Sequence, residues 1–145
     1  MNPAPARSIQ VNDEAEMLAL GGQLARELSR GQVWTLSGDL GAGKTTLVRG
    51  ILRGLGFDGR VKSPSYGLVE SYRLDTLTVH HLDLYRLGDP DELDFIGLAD
   101  LIGDDSVLLI EWPERGGIRL PAATHRLTLE IDAESRRVTI EVHGR

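Results

Sequence analysis

Eight consecutive residues, Gly38-Asp39-Leu40-Gly41-Ala42-Gly43-Lys44-Thr45, place glycines, a lysine and a threonine in the spacing G-x-x-x-x-G-K-[ST]. A backbone with that spacing curls so that successive N–H groups point inward at phosphate oxygens, in conformations a Cβ would obstruct. The flanks agree. Gln32–Ser37 (QVWTLS) is a short apolar, β-branched run that reads as a buried strand. After the loop, Leu47, Ile51, Leu52 and Leu55 recur at helical period until Gly54 and Gly56 weaken it. Strand, glycine loop and helix therefore follow in the order a phosphate-binding loop requires, with the positive end of the helix aimed at the anion. In that arrangement Lys44 reaches the β- and γ-phosphates, the Thr45 hydroxyl ligates Mg²⁺, and Thr46 contacts the α-phosphate or backs the groups that do. Lys44 and Lys62 are the only lysines beside fourteen arginines, so a compact ammonium at this position is a departure from the habit of the chain.

The rest of the chain supplies a sheet around that unit. Ser8–Val11 is a short candidate strand. Met17, Leu20, Leu24 and Leu28 then predict a helix over Asp13–Ser29, with Asp13 and Glu16 as a capping box. Gly67–Tyr72 and Leu77–Leu84 read as a hairpin around Arg73–Thr76. Asp89-Pro90-Asp91-Glu92 is a helix start, and the helix is expected to run to Gly103. Ser106–Trp112 (SVLLIEW) reads as a central strand ending in an acid. Alternation at Leu127, Leu129, Ile131 and at Val138, Ile140, Val142 closes the chain with a second hairpin across Asp132–Ser135. The expected class is α/β: a P-loop NTPase-like three-layer fold with a mixed central sheet and antiparallel hairpin additions.

Length and composition fit one domain over residues 1–145, with residues 1–7 expected to fray. The chain is 41% hydrophobic and 26% charged, which removes disordered, collagenous and coiled-coil readings. Twenty-two acids against sixteen bases give a net charge of −6, which argues against gripping a nucleic-acid backbone unaided. No cysteine is present, so disulfides, thiolate nucleophiles and zinc ribbons are excluded. No export signal or membrane span is visible, and a cytosolic protein is expected.

A phosphate loop of this kind needs an acid at a strand end to hold Mg²⁺ directly or through water. Asp83 in VHHLDLY and Glu111 in VLLIEW both follow apolar strands, and either fits. Lys62-Ser63-Pro64-Ser65-Tyr66 lies where such proteins keep a loop that senses the γ-phosphate, with Ser63 and Ser65 offering hydroxyls. Trp112 is placed either to stack on a base or simply to pack. His80, His81, His125 and His143 show no metal-ligand spacing and receive no role.

The blocks GDLGAGKTTLVRG, VKSPSY, HLDLYRL, DELDFIGLADLI and LIEWPERG, in this order and spacing, closely resemble the TsaE (YjeE) family, small bacterial ATPases of tRNA N6-threonylcarbamoyladenosine synthesis. The resemblance runs from the Asp13 helix through Pro121. It implies a cytoplasmic protein that binds ATP and Mg²⁺ and works with TsaB and TsaD, which install threonylcarbamoyl on adenosine 37 of tRNAs reading ANN codons. Hydrolysis is then weak alone and coupled to the partners, tRNA is met through the complex, and neither membrane nor DNA is a partner. By position, Gly38 to Thr46 hold the phosphates, Thr45 and Glu111 hold Mg²⁺, Asp83 supports the metal or the attacking water, and Trp112 lies near the nucleotide. Lys62 to Tyr66 resemble the family's switch-like S-P-T-[FY] loop, with Ser65 in place of threonine. Met17 stands where relatives often have threonine, and Glu14 and Arg136 are further expected nucleotide contacts.

Other readings share the loop. A small-molecule kinase would add an arginine-bearing lid, and no lid-sized insertion is visible. A GTPase would read guanine with N-K-x-D, yet the only asparagines are Asn2 and Asn12. Asp94-Phe95-Ile96-Gly97 fits D-x-x-G but falls inside the expected helix. A nucleotide-gated binding module with incidental hydrolysis carries the same loop.

Overall fold

Six consecutive residues, Ser106–Glu111, are buried along their whole length, as a strand must be when it is covered on both faces. The computed structural model, which describes residues 6–61, 68–103 and 105–143, places this strand inside a single seven-stranded sheet. The elements are β1 (Arg7–Val11), α1 (Glu14–Leu24), β2 (Val33–Ser37), α2 (Lys44–Gly54), β3 (Val69–Arg73), β4 (Thr78–Asp83), α3 (Glu92–Phe95), α4 (Leu98–Leu101), β5 (Ser106–Glu111), β6 (His125–Asp132) and β7 (Ser135–Val142). Their order across the sheet is β1-β7-β6-β2-β5-β4-β3. β2 runs parallel to β5 and β6, and β4 runs parallel to β5. The β3–β4 and β6–β7 hairpins and the β1–β7 pair are antiparallel. The mixed sheet, both hairpins and the α/β class agree with the expectation from the sequence. Arg7, expected to fray, instead opens β1 and makes two hydrogen bonds to Glu27.

α1 and α2 cover one face over a core that includes Trp34, Leu36, Leu47, Ile51, Leu127 and Ile140. Trp34 is wholly buried, donates its indole N–H to Gln32, and stacks on His125 at 4.3 Å. The two helices approach so closely that a Cβ on Gly21 would lie 2.7 Å from the backbone of Leu47 and Ile51, and one on Gly50 would lie 2.5 Å from the Leu18 carbonyl. On the other face a second core, with Leu82, Leu93, Leu108 and Ile110, lies beneath α3 and α4. That third layer is thin and covers only part of the sheet: among the described residues Arg126, Glu130, Arg137 and Glu141 on the outer face of β6 and β7 are exposed.

Two helices depart from the predicted lengths. α1 stops at Leu24 and continues only as a 3-10 turn over Ala25–Glu27, because Leu28 turns extended and drops its side chain into the core. The helix expected from Asp89 to Gly103 is two single turns. Its start is as read, with Asp89 accepting from the Asp91 N–H and Glu92 accepting from the Asp89 N–H. Gly97 then adopts φ 74° and breaks it. Leu93 and Leu98 lie five residues apart, which one continuous helix would splay by about 140°. The left-handed step lets both bury against the same core. Among the described residues, no helix is long and apolar enough to cross a membrane.

The helix contact predicts opposite signs for adjacent substitutions. Gly21→Ala should destabilise the fold by about 1–3 kcal/mol through overpacking despite alanine's better helix propensity. Gly22→Ala, whose Cβ meets nothing within 4 Å, should stabilise it by up to about 1 kcal/mol, both read by urea unfolding. Burial, partly opposed by Glu27, holds the His125 imidazole below its ordinary range. As pH falls below about 6.5 the unfolded chain protonates first, so stability must fall until the folded ring is protonated too. His125→Phe, which keeps a ring against Trp34, should remove part of that decline in Tm.

Candidate functional site

The parallel registers place the carboxyl ends of three strands side by side: Leu36 of β2 pairs with Glu111 of β5, and Glu111 pairs with Asp83 of β4. Ligands of α/β sheets bind at this edge, and the Gly38–Thr45 loop leaves β2 here. Gly43 takes φ 105°, a backbone shape that favours glycine, and the Met17 methyl of α1 lies 2.8 Å from where a Cβ would stand. α2 then begins at Lys44. Its side chain curls back under the loop, donates Nζ to the Gly38 carbonyl, and lies 3.8 Å from the Trp112 ring centre. The lysine is 5% exposed. Burial pushes its ammonium below the usual range, while Glu111, Asp83, Glu114 and Asp39 pull it back up.

Asp83 and Glu111 stand together, which the sequence left as alternatives. Glu111 is buried, and its Oε2 accepts from the Thr45 hydroxyl at 3.1 Å and lies 2.6 Å from His81 Nε2. Asp83 accepts from the Tyr85 N–H at 3.1 Å. Burial is the main cause that raises its carboxyl above the ordinary range, and the Glu111 charge adds to it. Both acids, Lys44, Thr45, Tyr85 and Trp112 line a cleft of about 330 Å³. Trp112 itself sits at φ 58°, ψ 51°, a left-handed conformation that is costly for a bulky residue and gathers at functional sites. Its N–H donates to Leu36, its carbonyl accepts from Arg115, and its ring lies 4.9 Å from that of Tyr85.

A second cleft of about 240 Å³ opens on the other side of the loop, lined by Asn12, Asp13, Glu14, Met17, Glu134 and Arg136. Gly41, Gly43 and Thr46 line both clefts. Arg136 reaches across from β7 to donate to the Gly41 carbonyl at 3.2 Å, and Glu14 lies 3.7 Å from Arg49. Glu14 and Arg136 are thus beside the loop, Asp39 is exposed, and Leu40, 62% exposed, lines the rim of the first cleft. Lys62, Ser63 and Ser65 lie outside the described residues.

The oxygens of Thr45, Asp83 and Glu111 are the donor type a hard divalent cation takes. No group of three His, Cys, Asp or Glu able to hold a metal occurs among the described residues. A cation here would complete its shell with oxygens of a bound phosphate and water, which is the habit of Mg²⁺ rather than of a closed protein cage. Sequence reasoning missed His81, which is buried and bonded to Glu111. The signal was present: His81 and Asp83 are two apart on one strand and so share a face.

Residues 11–139 match the family described as "Threonylcarbamoyl adenosine biosynthesis protein TsaE". The tRNA threonylcarbamoyladenosine biosynthesis protein TsaE of Haemophilus influenzae is 43% identical over 135 residues, 90% of this chain and 85% of the relative. Its counterpart from Bacillus subtilis is 34% identical over 127 residues, 88% and 78% of the two chains. The crystal structure of Bacillus subtilis YdiB superposes with a TM-score of 0.75 at 29% identity, covering 99% of this chain and 89% of that one. The family match spans both the glycine loop and the Asp83–Glu111 strand ends, and the chain belongs to the TsaE family of threonylcarbamoyl adenosine biosynthesis proteins.

Proposed function

We propose that this chain binds ATP with Mg²⁺ and hydrolyses it slowly alone, as the nucleotide-dependent subunit that acts with TsaB and TsaD in threonylcarbamoyl modification of tRNA adenosine 37 in the cytoplasm. The observation that carries the reading is the buried Lys44 ammonium folded into the Gly38–Thr45 loop beside the Thr45–Glu111 hydrogen bond. Inward N–H groups and the α2 N-terminus receive the α- and β-phosphates. Lys44 exchanges the Gly38 carbonyl for the β- and γ-phosphates and is compensated there for its burial. The second cleft, between Met17 and Arg136, takes the base end.

Thr45 and Glu111 are the residues that would hold Mg²⁺, with Asp83 supporting it or orienting the attacking water. The cation would offset negative charge building on the phosphoryl oxygens. Asp83, held above the usual carboxylate range by burial, would accept a hydrogen bond from a water beside the γ-phosphate. The net charge of −6 repels tRNA, which supports contact with tRNA through the partners.

Lys44→Ala should weaken ATP binding by about 10- to 100-fold, the worth of a charge-assisted phosphate contact, while urea unfolding shows the fold intact. Unchanged affinity by calorimetry would refute the phosphate role. Glu111→Ala should abolish the difference between ATP affinities measured with and without Mg²⁺. If that difference persists, the cation belongs to Asp83. The function as a whole is tested by ATP hydrolysis alone and with TsaB–TsaD, using Lys44→Ala as the blank. Stimulation that vanishes in the variant supports partner-coupled hydrolysis, and a rate indifferent to the partners refutes it.

A further inference from the structure

His81 is 0% exposed, yet it is a polar ring set between Val79 and Leu82, both fully buried. Its position on β4 puts it on the same strand face as Asp83, two residues short of the sheet edge. Nε2 lies 2.6 Å from Glu111 Oε2, the atom that also accepts from Thr45. The other ring nitrogen, Nδ1, has no hydrogen-bond partner among the described residues. A hydrogen on Nδ1 would be a buried donor without an acceptor, whereas a bare lone pair there costs less. The bonding pattern therefore assigns the hydrogen to Nε2 and makes the ring a donor to Glu111.

With Thr45 and His81 both donating to Oε2, that oxygen is saturated in the plane of the carboxylate, and among the described residues no donor is found on Oε1. A leucine would fill this site without leaving a buried ring nitrogen unpaired, so packing alone does not account for an imidazole here. We propose that His81 is a positioning residue: its Nε2–H fixes the rotamer of Glu111, so that the carboxylate is set for the metal before nucleotide arrives. The inference rests on the metal reading of Glu111 given above, and the ring itself touches neither metal nor nucleotide.

The test has two parts. In the unliganded protein, ¹⁵N NMR of the His81 ring should show hydrogen on Nε2; a bare Nε2 overturns the proposal without any variant. In ATP titrations followed by calorimetry over a Mg²⁺ series, His81→Leu should raise the half-saturating Mg²⁺ concentration by about 10- to 100-fold, the usual cost of losing a partner behind a metal ligand. Affinity for ATP without Mg²⁺ should change less than about two-fold, since that part of binding belongs to the loop. His81→Gln, whose Nε2 can donate from nearly the same place, should recover most of the Mg²⁺ response. An equal loss with and without Mg²⁺, or no recovery in His81→Gln, makes the ring merely structural and overturns the proposal. A wild-type Mg²⁺ effect that survives intact in His81→Leu overturns the positioning role alone. Wild-type ATP binding that ignores Mg²⁺ overturns the metal reading of Glu111 and the proposal with it.

Discussion

The buried cation Lys44 organises the site. Lys44 has left water and lies against the Gly38 carbonyl and the face of Trp112, and an ammonium so placed needs negative charge nearby. Glu111 and Asp83 supply it from the ends of adjacent parallel strands. Glu111 is buried and Asp83 half-buried, and leaving water makes a carboxylate charge costly in turn. The result is a site held ready for a polyanion and a cation together: each acid is more comfortable beside Lys44 or a metal, and Lys44 is more comfortable beside phosphate.

The scaffold exists to hold that arrangement still. The β2–β5–β4 register sets Leu36, Glu111 and Asp83 at one level. The glycine-to-backbone contact of α1 and α2 fixes the helix that begins with Lys44, while Met17 of α1 buttresses Gly43. The loop is therefore shaped from both sides, by the strand it leaves and by a helix far from it in sequence. Trp112, strained at φ 58°, is kept in place by hydrogen bonds to Leu36 and Arg115, so the cost of its backbone is offset by the sheet around it.

Most of this plan was legible in the chain. Local chemistry spoke for the strand-loop-helix unit, for β5 and for the closing hairpin, because apolar runs and alternation there have no competing explanation. The site residues that come from the loop and the two strand ends were also readable, since their spacing is set by the backbone alone. What was not readable is tertiary. The kink at Gly97 follows from the need of Leu93 and Leu98 to reach one core, and α1 ends early because Leu28 is drawn inward. The role of His81 needs the pairing of β4 with β5, which lines up Asp83 with Glu111 and lets the ring reach the carboxylate. Spacing along the chain puts His81 on the face of Asp83 but does not say which strand lies beside it.

The two tryptophans divide the molecule between them. Trp34 is sealed in the core against His125, and Trp112 lies under the ammonium of Lys44 and beside Tyr85. Their indoles therefore sense different electric fields, one set by the packed interior and the other by whatever charge occupies the cleft. The chain carries its own pair of optical reporters, one for the integrity of the fold and one for the state of its site, separable by replacing either ring.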